Sequence, residues 1–174
     1  MTNSNLFAKL LTICTITCII SLASCGKDED TLFKDCVFPW PELEEIPQSE
    51  LPKEIVEFTY KTYPEADTIL AAVINFCTNK RLYIQTDGTI NYDFLFYDKC
   101  GNLVAKGKSE KDSNIRSILS KSIKQELGNE ASLYDSFVVN YENGNIEYIS
   151  EVYFLGDSPR YMFDKDGKVL CKLF

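Results

Sequence analysis

From residue 68 onward the chain is cut at short, even intervals by turn signals, and this punctuation limits its fold more than any other feature. Strand-like runs over 68–77, 81–86, 89–97 and 103–107 are separated by Asp87-Gly88 and by Asp98-Lys99-Cys100-Gly101. A second set over 131–141, 146–155, 160–163 and 168–173 is separated by Asn143-Gly144, Gly156-Asp157-Ser158-Pro159 and Asp164-Lys165-Asp166-Gly167. Such dipeptides and clusters supply the positive φ angles and local hydrogen bonds of hairpin turns, so each set reads as antiparallel strands. Each set follows a segment of helical period. In the first, Leu51-Pro52 opens the helix, Ile55, Val56, Thr59, Tyr60 and Tyr63 form one stripe, and Pro64 ends it. In the second, Ile115, Ile118, Leu119, Ser122, Ile123 and Leu127 share a face, and Gly128 is the stop.

The two sets also resemble one another. Tyr97-Asp98-Lys99-Cys100-Gly101-Asn102-Leu103-Val104 aligns with Phe163-Asp164-Lys165-Asp166-Gly167-Lys168-Val169-Leu170. The aromatic, the Asp-Lys pair, the glycine and two aliphatics all correspond. The expected fold class is therefore α+β, a tandem repeat of helix plus four-stranded antiparallel sheet units, with repeats at about 51–110 and 111–174. Leu51-Pro52-Lys53-Glu54-Ile55-Val56-Glu57-Phe58, followed by Tyr63-Pro64-Glu65-Ala66 and by the aromatic-Asp-x-x-Gly element in both halves, resembles the PepSY-like (β-lactamase-inhibitor-like) domains of Bacteroidota secreted proteins. The resemblance implies helix-on-sheet units in tandem, no enzyme activity, and a role in binding or inhibiting other proteins.

The first 24 residues read as an address. A polar start carrying Lys9 precedes an apolar run from Leu10 to about Ile20, shorter than the roughly 20 residues that span a bilayer. The exit, Leu22-Ala23-Ser24-Cys25, resembles a bacterial lipobox. That resemblance implies a lipoprotein signal peptide over 1–24, cleavage before Cys25, and acylation of its thiol, so the membrane is one expected partner. The acidic Gly26-Lys27-Asp28-Glu29-Asp30 looks like the export tag of Bacteroidota surface lipoproteins, although a solvated acidic spacer has the same composition. The expected location is the outer membrane, lipid-anchored and exposed at the cell surface. Residues 25–50 read as an acidic, Pro-containing tether, with the aromatic Phe38-Pro39-Trp40-Pro41 packing back onto the domain.

Composition removes several chemistries. The chain has no histidine, which excludes Ser-His-Asp and Cys-His nucleophile systems and every His-bearing metal site. Its net charge of −8 offers no basic footprint for nucleic acid. Asp164-Lys165-Asp166-Gly167 lacks most ligands of a calcium loop and reads as a turn. No CxxC spacing suggests zinc. Neither a cofactor nor catalysis is expected. Outside the signal and the lipidated Cys25, four cysteines remain: Cys36, Cys77, Cys100 and Cys171. A secreted context permits disulfides, and four cysteines allow three pairings. In a simple meander Cys77 and Cys100 stand about 9–10 Å apart, too far to bond.

An antiparallel sheet with helices on one side leaves the other face open. Along 89–97, Ile90, Tyr92, Phe94 and Phe96 alternate with Thr89, Asn91 and Asp93. Arg81, Tyr83 and Gln85 share a side opposite Leu82 and Ile84. Exposed tyrosine gives large contact area at low entropy cost, so Tyr83, Tyr134 and Tyr153 are the candidate binding residues. The expected function is a non-catalytic surface lipoprotein that holds a protein partner, in an inhibitor-like manner. The alternative is a structural accessory subunit of a surface glycan- or nutrient-handling assembly.

Overall fold

The computed structural model describes residues 31–87 and 93–173. From Leu32 onward the chain forms one compact unit. Its strands are β1 (Glu45–Ile46), β2 (Thr68–Phe76), β3 (Asn79–Asp87), β4 (Asp93–Tyr97), β5 (Leu103–Ser109), β6 (Ser132–Tyr141), β7 (Ile146–Tyr153), β8 (Arg160–Asp164) and β9 (Val169–Lys172). Two α-helices interrupt them among the described residues: α1 (Lys53–Thr62) before β2 and α2 (Ser113–Leu127) before β6. Local chemistry sets the helix ends. Tyr63 leaves helical geometry just before Pro64, which disfavours a helical conformation in the residue preceding it. The Asp112 side chain caps α2 by accepting from the Asn114 N–H, and Gly128 closes it at φ +103.

The strands join into a single sheet in the order β1 through β9, every neighbour antiparallel. This overturns the tandem α+β expectation. β5 pairs directly with β6, Gly107 opposite Val139, so no boundary separates two sheet units. The molecule is a β-rich fold built on one curled nine-stranded sheet. The likeness between the two halves belongs to hairpins rather than to domains. In both, an Asp N–H donates to a carbonyl four residues on (Asn102 or Lys168), and a glycine N–H donates back to the Asp carbonyl.

Among the described residues both faces of the sheet carry a buried core, which corrects the expectation of one wet side. β4 buries Phe94, Leu95, Phe96 and Tyr97 in succession, as a strand covered on both sides must. On the convex side Leu82, Ile84 and Leu95 pack beneath Ile55 of α1, and Val138, Val152 and Phe163 pack beneath Leu119 and Ile123 of α2. On the concave side Ile74, Phe76, Phe94, Phe96, Phe137, Val139, Ile149 and Met162 form a core of their own. Gly107, opposite Phe94, leaves room for that ring to turn inward. Enough apolar area stands on the second face that the sheet curls to bury it against itself.

A disulfide fixes the curl. Cys77, just after β2, bonds Cys171 in β9 with their Cα atoms 5.6 Å apart. Neighbouring strands stand about 4.8 Å apart, so no strand intervenes there. A second disulfide, Cys36–Cys100, ties the N-terminal segment to the β4–β5 turn. That segment had been expected as part of the tether, yet it enters the fold at Leu32. Phe33 is buried edge-on against Phe38 and Trp40, at 5.3 and 5.7 Å, and Ile46 reaches the α1 core. The expected Asp87-Gly88 turn, and Ile90 and Tyr92 of the 89–97 run, fall outside the described residues, except for the backbone of Asp87.

Candidate functional site

Two polar layers close the aromatic middle of the concave face, one at each end. In the first, Arg160 is shared between Glu151 (3.5 Å) and the Tyr83 hydroxyl (3.5 Å), and Tyr83 in turn donates to Gln85 Oε1 at 2.7 Å. The Tyr83 ring packs against Phe94 and Phe96 at 5.2 and 5.6 Å. Burial raises its pKa well above the ordinary tyrosine value, and the Arg160 charge offsets only part of that. Tyr83 is therefore half-buried, its ring packed on the concave core and its hydroxyl held between Arg160 and Gln85.

The second layer lines a cleft of about 620 Å³ at the other end of the curl. Arg81, Tyr141 and Glu147 supply its polar wall, and Phe76, Met162 and Leu170 its apolar wall. Strand alternation places them. Arg81 stands opposite Ile74 and Glu147 opposite Val139, and both partners belong to the concave core. The Tyr141 hydroxyl donates to Glu147 Oε2. Burial, and then the carboxylate beside it, raise the Tyr141 pKa; the Arg81 charge lowers it by less. Burial also raises Glu147, helped by the Asp164 charge and opposed by the Tyr141 hydrogen bond. Arg81 Nε is buried without an acceptor. The Cys77–Cys171 bridge stands at the cleft wall. In the sequence Arg81 shares a face with Tyr83 and Gln85, and nothing local marks it for a role. Its signal was a lone cation at an inward position between apolar neighbours on the adjoining strand.

Tyr134 and Tyr153 lie elsewhere, where β6 begins and β7 ends. They are 68% and 53% exposed, and Tyr153 pairs in register with Ser132. The register shifts between Leu133 and Ser136, so Tyr134 sits in an irregular stretch, its carbonyl accepting from Arg116 at 3.0 Å. Beside them the β7–β8 connection turns on Leu155 and Gly156, at φ +52 and +90. Phe154 and Asp157 exchange both backbone hydrogen bonds across it. Two consecutive positive φ angles mark a tight hairpin turn that favours Asn-Gly, and here a leucine occupies the first position, 75% exposed. Leu155 is not legible as a turn residue from sequence, since leucine disfavours turns and the Gly156-Asp157-Ser158-Pro159 signal begins one residue later.

Cys25 lies outside the described residues. Among the described residues no group of three or more His, Cys, Asp or Glu side chains could hold a metal ion. Compared with known proteins, the chain matches no family model and no curated protein.

Proposed function

We propose that the chain is a non-catalytic lipoprotein, anchored through Cys25 in the outer membrane and displayed at the cell surface, that holds another protein in an inhibitor-like manner. The contact surface is the hairpin end that carries Leu155, Tyr153 and Tyr134. Leu155 carries the reading. A left-handed conformation costs a residue with a Cβ about 1–2 kcal/mol, and an exposed leucine recovers none of that by burial in its own fold. Seating that side chain on a partner gives the cost a purpose. Two exposed tyrosines beside it add rigid amphipathic area, the usual composition of a protein-contact surface.

The test immobilises the chain and captures partners from the envelope and secreted fractions of the same organism. The control carries Leu155→Asn, Tyr134→Ser and Tyr153→Ser. A protein retained by the parent and lost by the control supports the reading. Equal retention by both overturns it, and retention of glycan alone transfers the assignment to the accessory-subunit alternative.

A further inference from the structure

The Arg81 cleft is chemically unlike the hairpin end, and the two are separate, since Glu147 and Tyr153 stand at opposite ends of β7. Its charges are mixed: Arg81, Glu142 and Glu147 line the same space. A simple anion entering it would meet two carboxylates, and a simple cation would leave the Arg81 Nε–H without an acceptor, which the nearby Asp98 charge does not supply. A ligand bearing both charges satisfies both walls. We infer that this cleft binds a small zwitterion of the α-amino acid class, with its carboxylate on Arg81, its ammonium on Glu147 and an apolar side chain against Phe76, Met162 and Leu170.

Three observations carry this assignment. Arg81 Nε is buried with no acceptor, and a guanidinium fork matches a carboxylate in plane and spacing. Glu147 Oε2 takes the Tyr141 hydroxyl, which orients the group, but a carboxylate has about four lone-pair positions and one hydrogen bond does not saturate it. Burial and the neighbouring Asp164 both disfavour the ionised Glu147, a penalty that a bound ammonium relieves. A volume of about 620 Å³ admits such a ligand with water to spare.

The probes are leucine, leucinamide, N-acetyl-leucine and N-acetyl-leucinamide, titrated into the full chain by calorimetry and followed by amide chemical shifts. Leucine should bind tightest, and blocking either charge should weaken binding about tenfold or more. Arg81→Gln should make leucine and leucinamide equal, and Glu147→Gln should make leucine and N-acetyl-leucine equal. Should a variant fail to fold, the four-probe comparison on the unaltered chain decides alone. N-acetyl-leucinamide binding as well as leucine overturns the proposal, as does the absence of heat and shift changes for every probe at about 10 mM. Loss of partner capture by the Leu155 variant leaves this result untouched, so the two readings fail independently.

Discussion

Cys77 at the end of β2 is bonded to Cys171 in β9, and this single link sets the first long strand beside the last. The two residues are 94 apart in sequence, and Cys36 and Cys100 are 64 apart. In the chain-entropy account, loops of that length are worth about 4 to 5 kcal/mol each to the folded state. Replacing Cys77 and Cys171 together with serine should therefore lower the urea midpoint sharply, with the Cys36/Cys100 pair costing slightly less. Equilibrium unfolding of the three proteins, with and without reductant, checks both the size and the order.

Leu155 gives a prediction of opposite sign. Leu155→Asn creates Asn-Gly in a turn that favours it, so the variant should gain about 0.5–1 kcal/mol and a melting temperature higher by a few degrees. It should lose partner capture at the same time. A variant both less stable and still active in capture would contradict the role given to this residue.

Glycines at positive φ separate backbone cost from crowding. A Cβ on Gly167 would stand 2.5 Å from Ile118 of α2, whereas one on Gly144 meets nothing, although both residues have φ above +80. Gly144→Ala should cost about 1 kcal/mol, and Gly167→Ala about 2–3 kcal/mol. Thermal melts of the two variants measure the difference.

Asp98 makes stability depend on acid. Burial disfavours its charge, but hydrogen bonds from the Asn102 backbone and side chain and the Cys100 N–H, with the Arg81 charge, outweigh that and hold its carboxyl below the ordinary value of 3.8. A pKa lower in the folded state gives stabilisation that is full above the unfolded value and is lost as pH falls through the folded one. Asp98→Asn should lower stability at neutral pH by a fraction of a kcal/mol once solvent screening is counted, and the gap from the parent should narrow as the pH falls below the ordinary value of 3.8. Denaturation curves at several pH values test this.

For the proposed anchor, Cys25→Ser should abolish labelling by radioactive palmitate and leave residues 1–24 uncleaved, which mass measurement of the purified chain checks.

What the sequence made legible was local. Strand alternation and turn residues depend on neighbours a few positions away, so Asp98-to-Asn102 and Asp164-to-Lys168 were recognisable as turns from composition alone. Whether Phe94, Phe137 and Met162 meet one another was not legible, because it depends on how nine strands twist and close. That closure also chose the cysteine pairing and packed the Tyr83 ring against Phe94. Arg81 and Glu147 come from strands 66 residues apart in the chain, a separation at which no periodicity speaks.

The two disulfides interlock: Cys36 skips Cys77 to reach Cys100, and Cys77 skips Cys100 to reach Cys171. If the chain's four disulfide cysteines were oxidised in the order they emerge from synthesis, Cys36 would join Cys77 first, a bond absent from the finished fold. The native set can be sealed only after β9 has docked beside β2. Oxidant that arrives early thus works against yield, and a thiol–disulfide isomerase becomes a condition of efficient maturation.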